Sequence, residues 1–445
     1  MTTLIVDFVS RYADSDPTRM HMPGHKGIGA AEARDLTEIS GADELFHPTG
    51  IIAESEQNAS ALFGCRTLYS AEGSSLCIRA MLYLAVRAAA ERGQAPVIMA
   101  ARNVHKAYLT AAVLLDFETV WLPPGAHYLS AAVTPDALES TYARAQNKPC
   151  ALYLTSPDYL GNLSDIALAA AFCKQHDMLL LVDNAHGAYL QFLPAPCHPI
   201  ALGADLCCDS AHKTLPVLTG GAYLHIADGA PAVCREAAKS AMALFASTSP
   251  SWLILQSLDR CNALLESEFP AQIRDFLPLL RDMKQRLTEA GWTLCGDEPM
   301  KLTLMPKSRG YTGTELSGIL EKARIYVEFA DADFLVMMPA PCQTEAELLR
   351  VTDVLCALPQ RAPVTECPPP TAEPVFACTP RQAMLAPHET LPLPQCIGRI
   401  CAEIALSCPP AVPVIICGEV ITMQAANALH YYKTETCTVV AAAQF

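Results

Sequence analysis

Between about residues 95 and 225, short apolar runs alternate with stretches of helical periodicity. "APVIMA", "FETVWL", "CALYLTSP", "MLLLVDNA", "ADLCCDS" and "GAYLHI" each have the length and bounding turn residues of a buried strand. Between two of them, "LSDIALAAAFCKQH" has the spacing of a helix starting near Ser164 or Asp165. Strands alternating with helices predict an α/β fold, a mainly parallel sheet covered by helices. A long helical region is expected from about Ser251 to Ala290, broken at Pro270 and again near Pro278. After it, "WTLCG", "MKLTLMP", "IYVEFA" and "DFLVMMPA" predict strands interrupted by the helix "TELSGILEKA", a smaller α+β domain. Residues 359–389 are proline-rich and predict an extended linker. The remaining stretch to residue 445 regains helix and strand patterns in "IGRICAEIAL" and "AVPVIICGEVI", a C-terminal subdomain.

Composition narrows the class. With 445 residues, 51% hydrophobic and 17% charged, the chain can bury more than one core. Thirty-one basic against 46 acidic residues leave a net charge of -15, which repels phosphate backbones and argues against nucleic acid as a partner. The 19 cysteines contain no Cys-x-x-Cys and lie scattered in apolar runs, as buried reduced thiols do. No apolar run has the length of a membrane span. The opening residues lack a basic region followed by an apolar core, so no signal peptide is expected and the expected compartment is the cytoplasm.

The strand ends carry the chemistry. In an open α/β sheet, ligands bind at the carboxyl edge of the strands. Lys213 in "CCDSAHKTLPVLTGG" falls just past such an edge, and Asp183 closes "LLLVD" at another. Gly73, Ser74 and Ser75 in "SAEGSSLCIRAML" sit where a helix should begin, with amides turned outward. Together these match the needs of pyridoxal 5'-phosphate: a lysine for its aldehyde, a carboxylate for its ring nitrogen and backbone donors for its phosphate. His105 in "ARNVHKAYLT" could lie over the ring. Each has an ordinary alternative: a solvated lysine, with Lys106 as direct rival to Lys213, a helix-capping Asp183, an unliganded helix start, and core histidines at 105, 186 and 212. Competing sites fit less well. "GHKGIGA" is not G-x-G-x-x-G, and Pro23 and Gly24 deny His21 and His25 the helix that would align them as metal ligands. No metal is expected.

Taken in order, "RMHMPGHKG", "DLTEISGADELFHPTGII", "RTLYSAEGSSLCIRAML", "RNVHKA", "TSPDYLGNLSDI", "VDNAHGAY" and "DSAHKTLP" strongly resemble the Orn/Lys/Arg decarboxylase family of fold-type I pyridoxal-phosphate enzymes. "FASTSPSWLILQSLD" and "CPPAVPVIICGEVI" extend the likeness. The resemblance implies a lyase that decarboxylates arginine, lysine or ornithine and feeds polyamine synthesis. It implies Lys213 as the Schiff-base lysine, Asp183 as the ring-nitrogen partner, His105 as the stacking group and Lys213 or His212 as the proton donor. His186 would lie near the cofactor, and Ser74, Ser75, Ser210 and His212 around its phosphate. A homodimer or larger assembly with interface active sites is implied, with Ser247 and Thr248 reaching the neighbouring subunit's phosphate. Asn184 departs from the family pattern, where an acid is common. The chain matches the short bacterial branch, which lacks an N-terminal receiver-like domain.

On this reading, residues 1–50 form an N-terminal segment, 51–285 the large cofactor-binding domain, 286–358 the small domain, 359–389 the linker and 390–445 the C-terminal subdomain. For the substrate's distal cation, Asp43, Glu44 and Glu419 are the candidate acids. An aminotransferase or other lyase on the same scaffold, or a non-catalytic regulatory paralogue, remains an alternative.

Overall fold

The computed structural model describes residues 1–125, 127–370, 374–408 and 412–441. Residues 371–373 of the expected linker, and 409–411 and 442–445 of the expected C-terminal subdomain, lie outside the described set. The chain divides into two compact units. One comprises Met1–Pro96, Pro149–Ser156 and Ile166–Ile273; the other comprises Val97–Lys148, Pro157–Asp165 and Arg274–Phe445.

The first unit carries five strands side by side in the order Arg66–Ser70, Ala222–Ile226, Leu206–Asp209, Leu179–Asp183 and Ala151–Thr155. The last three pair in parallel, while Ala222–Ile226 runs antiparallel to both its neighbours. The sheet is therefore mixed and mostly parallel. The reversal has a local cause: the link from Leu206–Asp209 holds only the one-turn helix Ala211–Thr214, not the crossover helix of a parallel return. Every residue of Leu179–Asp183 is buried, as expected of a strand covered on both faces, and four of its five residues are apolar. Helix Gly73–Glu91 supplies one cover, burying Leu76, Ile78, Met81 and Leu82 and packing on four of the five strands. Arg66–Ser70 is missing from the sequence-based strands because its Arg, Thr and Ser interrupt the apolar pattern, although Thr67 and Ser70 are buried.

The expected long helix is two helices, Trp252–Ser267 and Phe269–Glu289. The break comes just before Pro270, which falls in the first turn of the second helix, where its missing N–H costs nothing. Pro278 does not end that helix.

The second unit contains the parallel pair Val97–Ala100 and Glu118–Trp121. It also holds an antiparallel sheet in the order Phe329–Ala330, Leu335–Met337, Leu302–Leu304, Leu294–Cys295. Helices Gly313–Lys322 and Glu345–Cys356 start on Thr312 and Thr344, the latter in a capping box with Glu347. Residues 359–370 form neither helix nor strand. Beyond them come the short helix Pro380–Leu385, two antiparallel strand pairs and helix Met423–Tyr431. The described cysteines are free thiols, mostly buried; Cys342 and Cys367 are exposed.

Asp43 shows how the N-terminal region is anchored. Its Oδ2 accepts from the amides of Gly50, Ile52 and Ala53 at the start of helix Ile51–Phe63, and its Oδ1 from those of Glu44 and Thr49. It thus acts as a helix cap from seven residues upstream of Gly50. Burial raises the Asp43 carboxyl, but the backbone donors outweigh it and hold the group below its ordinary value of 3.8. A carboxyl lowered in this way stabilises the fold above that value and loses its contribution as pH falls through the folded value. Asp43→Ala should cost about 1–2 kcal/mol at pH 7. In denaturant titrations, the gap from the parent should shrink below pH 3.8.

Candidate active site

The parallel pairing of Leu179–Asp183 with Leu206–Asp209 sets Asp183 level with Cys208, so the two strands end together. Past these ends, the first unit gathers most of the residues singled out from the sequence. Lys213 lies half-buried in helix Ala211–Thr214, with its amide bonded to the Ser210 carbonyl. Its Nζ stands 3.1 Å from Nε2 of the buried His186. Lys106, the rival, is exposed at the first position of helix Lys106–Leu115 in the other unit.

Asp183 is 2% exposed. Its Oδ2 accepts from the Tyr153 hydroxyl at 3.1 Å, its Oδ1 from the Ala185 amide at 3.2 Å, and the Cys208 thiol lies 3.7 Å away. Among the described residues, no Lys, Arg or His is paired with it. A buried carboxylate is costly without a cation, and the donors present are neutral. A protonated ring nitrogen would supply the missing charge.

The start of helix Gly73–Glu91 is the third component. The Glu72 amide donates to Ser70 Oγ and the Gly73 amide to the Gly220 carbonyl. The expectation of an outward Gly73 amide is thereby corrected: that donor is occupied. The Ser74 and Ser75 amides meet no acceptor among the described residues, and Ser210 Oγ donates to Ser74 Oγ at 2.7 Å. Two open amides and two hydroxyls at the positive end of a long helix form a donor set for an anion such as a phosphate. Gly73 has φ of 71°, which glycine adopts freely, and open space surrounds the position where a Cβ would project.

His212 Nδ1 lies 3.1 Å from the Gly221 carbonyl, so that nitrogen carries the proton and donates. Ser247 and Thr248 are exposed; the Ser247 amide donates to Glu72 Oε1 at 2.7 Å, tying this segment to the same helix start. His105 belongs to the second unit, where it caps helix Lys106–Leu115 through Nδ1, which accepts from the Ala107 amide.

The candidate acids for a distal cation are otherwise engaged. Asp43 is the cap described above, and Glu44 bonds exposed His47 at 2.7 Å. Glu419 is buried in a two-point ion pair with Arg102, 2.7 Å at each oxygen. Sequence reasoning also missed a buried group behind the strand ends: Asp209, His198, His225 and Asn184. A histidine within an apolar strand, as in "AYLHI", and the departure at Asn184 were signs of it, but neither pointed to the buried acid.

Comparisons with known proteins give the family and the fold. The Orn/Lys/Arg decarboxylase major domain matches residues 5–303, and that family's C-terminal domain matches residues 365–438. An arginine decarboxylase of Bacillus subtilis (strain 168) is 29% identical over 449 residues, covering 93% of this chain and 90% of the relative. One from Halalkalibacterium halodurans is 29% identical over 452 residues, with coverage of 93% and 90%. The constitutive lysine decarboxylase of E. coli superposes with a TM-score of 0.79 at 17% identity, covering 99% of this chain and 82% of that one. Lysine decarboxylase A of Pseudomonas aeruginosa gives 0.80 at 17% identity, covering 96% and 75%. These superpositions establish the fold, fold type I of the pyridoxal-phosphate enzymes.

Gly73→Ala should cost about 1–2 kcal/mol, because alanine resists the left-handed region and no new contact offsets the strain. Thermal unfolding of the variant checks this. An unchanged midpoint would mean that the helix start relaxes to another conformation.

The order of the motifs, the mostly parallel sheet and the match over both domains agree, and the chain belongs to the Orn/Lys/Arg decarboxylase family.

Proposed function

We propose that this chain decarboxylates a basic amino acid, arginine, lysine or ornithine, with pyridoxal 5'-phosphate as cofactor, and that the amine feeds polyamine synthesis. The observation that carries the reading is the buried Asp183 carboxylate, paired with no cation among the described residues, at a strand end level with the one leading to Lys213.

When bound, pyridoxal phosphate supplies an electron-accepting ring that takes up the electron pair left as the α-carboxylate departs as carbon dioxide. Asp183 would hold a proton at the ring nitrogen, and Tyr153 keeps the carboxylate oriented. Lys213 must offer a neutral amine to attack an aldehyde, and His186, 3.1 Å from its Nζ, is placed to take the ammonium proton. The amides of Ser74 and Ser75, with the Ser74 and Ser210 hydroxyls, would hold the phosphate. His105 would stack on the ring. With Nδ1 of His212 bonded to the Gly221 carbonyl, its Nε2 would be the nitrogen that carries a proton back to the α-carbon if His212 rather than Lys213 performs that task.

In this reading the enzyme works as a homodimer or larger assembly in the cytoplasm, and Ser247 and Thr248 reach the phosphate of a neighbouring subunit. Among the described residues no helix is long and apolar enough to cross a membrane. With Glu419 and Asp43 committed elsewhere, recognition of the distal cation falls to other acids, including those of a second subunit.

The purified, cofactor-loaded protein, given arginine, lysine and ornithine together, should release carbon dioxide and one of agmatine, cadaverine or putrescine, identified by mass. Arginine is the first to try alone, since the two relatives described above are named for it. Lys213→Ala should abolish turnover and leave no borohydride-fixed cofactor on the chain. A keto acid as product, or a reduced tag mapped to Lys106, would overturn the proposal.

A further inference from the structure

Behind the strand ends, Asp209 closes Leu206–Asp209 and is wholly buried. Three nitrogen donors converge on its carboxylate. Asn184 Nδ2 donates to Oδ1 at 2.6 Å, His225 Nε2 to Oδ2 at 3.0 Å and His198 Nε2 to Oδ2 at 3.2 Å. The far side of the His198 ring fixes its tautomer, and that of His225 is compatible with the same one. His198 Nδ1 accepts from the Ile200 amide, and His225 Nδ1 faces the Thr67 hydroxyl at 2.9 Å, which can donate to it. Both rings can therefore be neutral and still donate through Nε2. Burial pushes His225 down toward that neutral form. Burial also opposes the charge of Asp209, but the facing His198 and His225 outweigh it and hold the carboxyl well below the usual range. The result is one buried negative charge on which three nitrogen donors converge.

This charge lies between the two residues on which the chemistry depends. Asn184 follows Asp183 directly, and its amide donates to the Cys208 carbonyl at 2.9 Å. Asp209 precedes Ser210 and stands four residues before Lys213. The 2.6 Å side-chain bond thus closes a second link, beyond the backbone ladder, between the strand carrying Asp183 and the one leading to Lys213.

We propose that Asp209 and Asn184 form a positioning pair in which a single carboxylate, with an amide opposite it, holds Asp183 and Lys213 in register. The pair accepts one negative charge and no more. A carboxylate at both positions would bring two anions to about 2.6 Å with no donor between them. Exchange of the two residues keeps the three shortest of these hydrogen bonds: an amide at 209 still offers oxygen to both histidines and nitrogen to a carboxylate at 184, and only the longer contacts of His198 and the Cys207 thiol with Oδ1 are given up. The proposal rests on the cofactor reading only for one of its measurements.

The test compares Asn184→Asp with the double variant Asn184→Asp, Asp209→Asn, each in the full-length chain. Three quantities are read: thermal midpoint without cofactor, histidine ring 15N shifts, and pyridoxal-phosphate affinity by absorbance. In the parent, two ring systems should show the neutral Nε2–H signature at pH 7.5. Asn184→Asp should shift these resonances, lower the midpoint and weaken cofactor binding at least tenfold. The double variant should recover the neutral signature and bind within about threefold of the parent. If Asn184→Asp fails to fold, the double variant decides alone. A double variant that is unfolded, or folded with affinity no better than tenfold below the parent, overturns the proposal. So does an Asn184→Asp protein that behaves as the parent does. A parent that binds no pyridoxal phosphate refutes the proposed function instead, while midpoint and ring shifts still judge the pair.

Discussion

The pairing of two short parallel strands, Leu179–Asp183 and Leu206–Asp209, is the constraint from which the rest of the site follows. The ladder brings their carboxyl ends level, so Asp183 and Cys208, 25 positions apart in sequence, leave the sheet at one place. The following segments need no long loop to reach each other. Lys213 comes within hydrogen-bond distance of His186 because each lies within a few residues of its strand's end. Helix Gly73–Glu91, packed across the same sheet, adds its N-terminus there.

The electrostatics are arranged in two layers. Nearer the ligand face, Asp183 is held by the neutral Tyr153 hydroxyl and a backbone amide, leaving its charge to be answered by whatever binds. Behind it, Asp209 is fully answered by the chain's own donors. Two buried acids in one sheet thus differ in what surrounds them. On the proposed function, the acid with no paired cation among the described residues serves the ligand face, and the fully answered acid serves the frame.

Much of this was legible before any coordinates. The apolar runs marked six strands because buried parallel strands leave little room for polar residues, and Asp183 and Lys213 stood out because each ended such a run. The edge strand Arg66–Ser70 was hidden by its polar residues, whose partners are remote. Thr67 faces His225, 158 positions away. The Asp209 group escaped for the same reason: its members come from separate strands and a loop, and no spacing links them. The departure at Asn184 was visible, but its meaning depended on the buried acid opposite. Asp43 misled in the other direction. A loop acid looks available to a substrate, and only the folded chain shows that five amides already claim it. The antiparallel course of Ala222–Ile226 likewise depends on a link whose helix proved one turn long.

Glu72 sits at the mouth of the helix whose open amides await an anion, and a carboxylate there is an internal competitor for them. Its bond to the Ser247 amide turns it aside. Through this one bond the start of helix Gly73–Glu91 and the 247 segment hold a common position, so the carboxylate nearest the helix's positive end also serves as the tether of a neighbouring loop.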